Sequence, residues 1–143
     1  IDVVWPDKAE QEIAPLARSG TEINDTSIGV VVTYRGHRFF TGGDMEPTAQ
    51  DALLAKGIEK VDVMKVCHHG SSHQSDALFQ ALDPSIAFIS VGKDNPYGHP
   101  SLKTINYLEA LGSRVFRTDK SGDIAIDSNL HVRTRQRELF TLG

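Results

Sequence analysis

The chain has 143 residues, which is enough for one hydrophobic core but not for two independent domains. Hydrophobic residues make up 39% and charged residues 24% of the sequence, which excludes a disordered tail or a low-complexity polymer. The net charge of −4 argues against a wholly basic surface for nucleic acid, while leaving room for a local basic patch. No apolar run approaches the ~20 residues that span a bilayer, so we expect a soluble domain.

The chain begins at Ile1 instead of a methionine and contains one cysteine, Cys67. The missing methionine leads us to expect a processed chain or an excerpt of a longer protein. A single cysteine cannot form an internal disulfide, so nothing indicates an oxidising compartment. We therefore expect a single domain or a half-domain over residues 1–143.

The apolar pattern predicts strands that alternate with helices, beginning with a hairpin and ending with a meander of short strands. Residues 6–24 are expected to be a loop or a marginal helix. The expected fold class is α/β, a layered mixed sheet with flanking helices. The predicted strands cover residues 3–5, 28–34, 38–41, 61–67, 85–91, 115–117, 123–126 and 131–133. The predicted helices cover residues 47–55, 75–82 and 101–111.

Unusual residues follow three of the predicted strands, at 41–44, 67–73 and 95–100. Ligands of α/β sheets gather outside the carboxyl ends of the strands. Four of the six histidines and one carboxylate fall at these three corners. The clustering indicates a functional site at this edge of the sheet.

Asp44 follows two glycines that allow a sharp turn, which suits a carboxylate that binds one or two cations. A turn aspartate that caps the next helix is the alternative. His68 and His69 end an apolar strand, and strand alternation predicts that they point to opposite sides. One could then bind a metal while the other contacts substrate, or one could simply be a buried core histidine. His73 is expected in a surface loop.

Asn95, Tyr97 and His99 lie in a loop stiffened by two prolines and could face a phosphoryl oxygen or a leaving group. A rigid turn without function is equally compatible with this pattern. Cys67 could be an activated thiolate, although its place at the end of an apolar strand favours a buried small hydrophobe. Arg133, Arg135 and Arg137 alternate at strand spacing, which favours a solvated edge strand over a polyanion site.

Five motifs are shared with a known family, and they span residues 24–126. The motifs are Asn24–Ser27, Thr41–Asp44, Val66–Ser72, Ser90–Pro100 and Thr118–Asp123. In order and spacing they resemble the C-terminal part of the metallo-β-lactamase-like domain of the ComEC competence proteins. The resemblance implies the second half of a four-layer αβ/βα sandwich with a two-metal site between its sheets. It also implies hydrolysis of a phosphoester, with incoming DNA as the substrate in ComEC.

By position, Asp44 resembles the family's metal-bridging carboxylate and His69 resembles its late histidine ligand. The resemblance implies that His68, Asn95 and His99 face the substrate and that Zn²⁺ or Mn²⁺ is bound in the complete domain. The family's first metal motif, His-x-His or His-x-Asp followed by x-Asp-His, is absent from this sequence. Two protein ligands are fewer than the three that catalytic zinc usually takes, so we expect weak or no metal binding.

The expected function is that of the C-terminal portion of a metal-dependent phosphodiesterase or nuclease domain, inactive as an isolated fragment. Expected partners are DNA or another phosphoester, the remainder of the parent chain, and a second copy bound through an exposed sheet face. The parent is expected to be anchored in a bacterial membrane. One alternative is a non-catalytic interaction or scaffold module that has lost the metal site. Another is a hydrolase that uses Cys67 with His68 or His69.

Overall fold

A computed structural model of the chain describes residues 1–7 and 20–135. It confirms the predicted mixed α/β class, with helices flanking a six-stranded mixed sheet. The strands are β1 (Asp2–Trp5), β2 (Gly29–Tyr34), β3 (His37–Thr41), β4 (Val63–Lys65), β5 (Ile86–Ile89), β6 (Arg114–Arg117), β7 (Ile124–Ile126) and β8 (Val132–Thr134). The helices are α1 (Gly20–Asn24), α2 (Pro47–Ala55), α3 (Asp76–Leu82), α4 (Leu102–Ala110) and α5 (Thr118–Ser121).

The large sheet has the strand order β1-β2-β3-β4-β5-β6. The first three strands pair antiparallel, and β2 and β3 are joined by a tight turn in which Arg35 and Gly36 have φ of 51° and 85°. From β3 to β6 the strands are parallel, since each connection passes through one of the helices α2, α3 and α4. The carboxyl ends of β3, β4 and β5 therefore meet at one edge of the sheet.

One face of the sheet forms the hydrophobic core together with the three crossover helices. Phe40, Met64 and Ala87 lie in one register row of adjacent strands, and each is fully buried. Helix α3 contributes Leu78, and helix α4 contributes Leu108. The predicted caps are present, because the Ser75 and Ser101 hydroxyls accept hydrogen bonds from the first turns of α3 and α4.

The second face of the sheet is only partly covered. The β7–β8 hairpin lies over one end of it, where Ile126 and Leu130 line a small apolar cavity with Val32, Phe39 and Val63. The neighbouring row of the same face stays half-exposed. That row consists of Val30, Thr41, Lys65, Phe88 and Phe116.

Two predictions about the elements need correction. The strand expected at 61–67 covers only Val63–Lys65, because Cys67 begins a 3-10 turn. The closing meander is wrong, since β6 joins the large sheet parallel to β5 and only β7 and β8 pair with each other.

Part of the 6–24 segment and Arg137 lie outside the described residues, while Arg133 and Arg135 are exposed, as a solvated strand predicts. No described helix is long and apolar enough to cross a bilayer.

Gly42 allows the loop after β3 to pass against the loop after β4. A Cβ built at this position would lie 2.8 Å from the Cys67 sulfur and 3.0 Å from the Phe40 ring. Both neighbours are at most 1% exposed and have no room to move. The close approach of the two loops therefore requires glycine at this position.

We predict that Gly42→Ala lowers the free energy of unfolding by about 1–3 kcal/mol, as overpacking of a filled core does. Urea denaturation measures the change. Gly92→Ala is the control, because a Cβ there would meet no heavy atom of the described residues within 4 Å. Equal stability of the two variants would contradict the packing explanation.

Candidate functional site

A pocket of about 290 Å³ lies at the carboxyl ends of β3, β4 and β5. It brings together the residues that the sequence predicts to bind metal or to face the substrate, while the alternative nucleophile Cys67 lies outside it. Gly92 and Tyr97 complete its lining. The predicted residues that line it are Asp44, His68, His69, Asn95 and His99.

Asp44 and His69 form the centre of this pocket, with 3.5 Å between Asp44 Oδ1 and His69 Nε2. The other ring nitrogen of His69, Nδ1, lies 2.7 Å from the carbonyl oxygen of Ser90. A carbonyl oxygen can only accept, so Nδ1 carries a proton, and Nε2 is the ring nitrogen that faces Asp44. A backbone carbonyl on Nδ1 is a common support for a metal-binding imidazole.

The two adjacent histidines lie in a strained turn instead of a strand. The 3-10 turn Cys67–Gly70 places His68 at φ 45° and His69 at φ 53°, in the left-handed region. Such a conformation is unfavourable by ~1–2 kcal/mol for a residue other than glycine. The prediction that strand alternation sends the two side chains to opposite sides is wrong, because both line the same pocket.

His68 contacts a different carboxylate from His69. Its Nδ1 lies 3.4 Å from Glu46 Oε1, and its ring meets the His99 ring edge to face at 5.4 Å. The side chains of His68 and Glu46 are 22% and 11% exposed. Glu46 was not among the predicted site residues, and its only sequence signal is its position two residues after Asp44.

The segment Asn24–Ser27 holds the loop that carries Asp44. Ser27 Oγ accepts a hydrogen bond from the Asp44 amide at 3.0 Å, and Asp25 Oδ1 accepts one from the Glu46 amide at 2.8 Å. Burial raises the pKa of Asp25, and the neighbouring Glu46 carboxylate adds to the rise. The motif that precedes β2 is thus a brace for the functional loop.

Two buried glutamines connect the Asp44 loop with the histidine turn. Gln50 donates to the carbonyl oxygen of Met45 at 2.7 Å and to Gln74 Oε1 at 2.9 Å. Gln74 donates in turn to the carbonyl oxygen of Cys67 at 3.0 Å. Sequence reasoning missed both residues, although an amide among the apolar positions of α2 is a recognisable signal of a buried polar contact.

The Thr118–Asp123 motif supports the third loop of the site. The Thr118 hydroxyl accepts from the Val91 amide at 2.8 Å, next to the Ser90 carbonyl that holds His69. Arg117 binds the Asp119 carboxylate through two nitrogens, at 3.0 and 2.6 Å. The motif therefore fixes the strand end that orients an imidazole.

The loop of residues 92–99 forms the opposite wall of the pocket. Asn95 Oδ1 accepts a hydrogen bond from the Tyr97 amide at 2.8 Å, a side-chain turn that shapes the loop. Tyr97 is 80% exposed and stacks on His99 with the ring centroids 6.2 Å apart. Burial lowers the pKa of His99, and the nearby histidines lower it further, while Asp44 raises it.

We predict that His99 titrates below its ordinary value of 6.5 in the folded chain. The folded state then binds this proton less readily than the unfolded state, so the contribution of His99 to the free energy of unfolding is present above pH 6.5 and lost as the pH falls through the lowered pKa. NMR titration of the ring protons measures the midpoint. Asp44→Asn should lower the midpoint and His73→Asn should raise it, and a midpoint above 6.5 would refute the prediction.

Cys67 and His73 lie outside the pocket lining. Burial raises the pKa of the Cys67 thiol to about 12, and the residue is 1% exposed. The thiolate required for nucleophilic chemistry is therefore not formed at neutral pH. His73 is exposed in the loop, as the sequence predicts.

Among the described residues, the side chains that could bind a metal form a pair and not a larger group. Within residues 1–7 and 20–135, no group of three or more His, Cys, Asp or Glu side chains is arranged to hold an ion. The imidazole of His69 and the carboxylate of Asp44 are suitable donors for Zn²⁺ or Mn²⁺. The described residues thus fit part of a metal site.

No protein family model matches the chain. ComE operon protein 3 of Bacillus subtilis is 35% identical over 114 residues, which are 78% of this chain and 15% of that protein. Competence protein ComA of Neisseria gonorrhoeae is 30% identical over 121 residues, which are 82% of this chain and 18% of that protein. Recombination protein 2 of Haemophilus influenzae is 33% identical over 86 residues, which are 59% of this chain and 11% of that protein.

These three relatives are ComEC-type competence proteins, and the chain spans less than a fifth of the length of each. The matched proportion of this chain reaches 82%. The resemblance to the ComEC proteins is thereby confirmed. The chain belongs to the ComEC family of competence proteins, of which it represents a short segment.

Proposed function

We propose that the chain supplies one part of a metal-dependent phosphoester-hydrolysing site in a ComEC-like DNA-uptake protein. The observation that carries the proposal is the Asp44–His69 pair, with 3.5 Å between carboxylate and imidazole and with the imidazole oriented by the Ser90 carbonyl. The names of the relatives support a role in competence. DNA is the proposed substrate, and the parent protein is proposed to be membrane-anchored.

Asp44 and His69 would hold one or two divalent ions, Zn²⁺ or Mn²⁺. Such an ion, when bound, neutralises charge on a phosphoryl group and lowers the pKa of a coordinated water. The remaining ligands would come from another part of the parent chain, because the described residues offer only this pair at the pocket centre.

The other pocket residues act on the substrate. His99 is kept neutral by burial and by its neighbouring histidines, so it can donate one hydrogen bond to a phosphoryl oxygen and accept another from water. His68 lines the same pocket, with its ring in edge contact with the ring of His99. The side-chain oxygen of Asn95 already accepts a hydrogen bond from the Tyr97 amide, so the side-chain N–H groups remain as donors.

An alternative is a non-catalytic interaction or scaffold module. The observation that favours it is the lack of a third metal donor at the pocket among residues 1–7 and 20–135. It predicts that the full-length gene product lacks the His-x-His or His-x-Asp motif and does not cleave phosphodiesters. The hydrolase proposal predicts both the motif and metal-dependent cleavage.

We predict that the isolated chain binds Zn²⁺ or Mn²⁺ no tighter than roughly micromolar, because two protein donors fall short of a complete site. His69→Ala should abolish this binding, while His68→Ala and the exposed control His73→Ala should retain it. Calorimetry measures affinity, and mass spectrometry measures metal content.

In the full-length gene product, His69→Ala should remove metal and phosphodiesterase activity together. His68→Ala should keep the metal and lower the rate about 10–100-fold, as loss of a group beside the ligands does. A nanomolar site in the isolated chain would contradict the half-site proposal. Metal loss in His68→Ala with retention in His69→Ala would reverse the two assignments.

A second copy of the chain is a further proposed partner, bound through the half-exposed row of the second sheet face. Phe88 and Phe116 lie edge to face there with centroids 6.1 Å apart. At the other end of the row, Val3 on the edge strand β1 pairs with Val30 and is 63% exposed. Partly uncovered apolar surface of this kind drives association.

We predict that the chain dimerises or aggregates at high concentration and that Phe88→Asp shifts it toward the monomer. Light scattering measures the mass. Leu102→Asp is the matched control, because Leu102 is 71% exposed on helix α4 and is not part of the sheet. A clean wild-type monomer would show that the hairpin and the sheet need no further cover.

A further inference from the structure

His68 has a buried nitrogen without a hydrogen bond. Its Nδ1 atom is fully buried and has no hydrogen-bond partner within the described residues. Glu46 Oε1 lies 3.4 Å from this atom, in ion-pair range but outside good hydrogen-bond geometry. Leaving a buried polar atom unpaired costs about 1–3 kcal/mol. A hydrogen bond between His68 Nδ1 and Glu46 Oε1 would therefore stabilise the folded chain.

Glu46 is held in place from two directions. Its Oε1 accepts a hydrogen bond from Asn24 Nδ2 at 2.8 Å, and its amide donates to Asp25 Oδ1 at 2.8 Å. The His68 backbone is fixed as well, because its amide donates to the carbonyl oxygen of Gly43 at 3.0 Å. The Glu46 carboxylate cannot turn away without breaking its bond to Asn24, and the backbone bond of His68 fixes the position from which the imidazole extends.

The chemistry of the two groups selects one form of the imidazole. A carboxylate oxygen can only accept, so a proton on Nδ1 of His68 makes an attractive contact with Glu46. The opposite tautomer would set the lone pair of Nδ1 against the lone pairs of Oε1. Since Asn24 occupies only one lone pair of that oxygen, a second donor can be accommodated.

We infer that Glu46, held by Asn24, is a positioning residue that keeps the proton of His68 on Nδ1 and leaves Nε2 as a free acceptor. His69 is held in the same form by the Ser90 carbonyl on its Nδ1. The two adjacent imidazoles would then both use Nδ1 as the anchor and keep Nε2 available at the pocket. The functional meaning of this inference rests on the proposed hydrolase site, where Nε2 of His68 would accept a proton from water or hold a phosphoryl-bound hydroxyl.

The tautomer can be measured in the chain itself by long-range ¹H–¹⁵N correlation of the histidine rings. The spectrum is taken without metal at about pH 8.5, so that the neutral forms of the ring are compared. The wild-type chain should show His68 protonated on Nδ1. A His68 ring protonated on Nε2 would overturn the inference.

Variants of the carboxylate sharpen the test. Glu46→Met keeps the volume but removes the acceptor, and the ratio of the Nδ1–H to the Nε2–H form of His68 should fall roughly 10–100-fold, as expected for losing a hydrogen bond to a charged group. Glu46→Gln keeps an acceptor oxygen and should retain most of the Nδ1–H form. Asn24→Ala should give a partial shift, because it frees the Glu46 side chain.

Two controls separate positioning from general damage to the fold. Glu59→Met removes a carboxylate whose side chain is 78% exposed and paired with Arg38, and it should leave the His68 tautomer unchanged. In Glu46→Met the tautomer of His69 should also stay unchanged, because Ser90 holds it. An unchanged His68 ratio in Glu46→Met would refute the inference. The readout needs neither metal nor hydrolysis, so a confirmed tautomer together with a full-length gene product that neither binds metal nor cleaves phosphodiesters would refute the proposed function alone.

Discussion

The buried amide pair of Gln50 and Gln74 is the contact on which the geometry of the site depends. Gln50 is 0% and Gln74 is 8% exposed, so each amide must find its partners inside the protein. They find them in each other and in the backbone of the two loops that carry Asp44 and the histidine pair. Because an unpaired buried amide is expensive, the two loops cannot separate without a large loss of stability.

This brace explains how a strained turn persists. Two successive non-glycine residues with positive φ are unfavourable, and they remain only where the surroundings determine their position. The turn is tied at both ends, by Gln74 on the carbonyl of Cys67 and by the Ser101 amide on the carbonyl of Gly70. The strain therefore serves to turn two adjacent imidazoles toward one pocket, which an extended strand could not do.

The site brings several ionisable side chains close together, in a chain that is only mildly acidic as a whole. Two carboxylates, Asp44 and Glu46, each face one imidazole of the pair, and the third histidine is kept neutral by burial and by its neighbours. Orientation comes from groups outside the pocket: a backbone carbonyl, an asparagine and a threonine on the loops behind it. The pocket is thus built by supporting contacts that the five family motifs around it supply.

The sequence alone determined the elements with strong local signals. The hairpin, the three crossover helices, the serine caps of α3 and α4, and the placement of Asp44, His69 and His99 beyond the ends of parallel strands follow from periodicity and from turn residues. The family also followed from the sequence, because its motifs lie in short contiguous runs. Local patterns of this kind depend on neighbours within a few residues, so they can be recognised before the fold is known.

Only the tertiary structure decided the contacts between distant segments. Asn24 is hydrogen-bonded to Glu46, and Gln50 to Gln74, across separations of 22 and 24 residues. No local sequence pattern predicts such pairs. The sequence predicts a strand that ends at His68 and His69, where the structure has a left-handed turn. The contacts that stabilise this strained turn come from distant residues, so no local pattern indicates it. The parallel pairing of β6 with β5 likewise depends on how helix α4 packs on the sheet. Side-chain partners and strained backbone are set by packing, which sequence spacing does not encode.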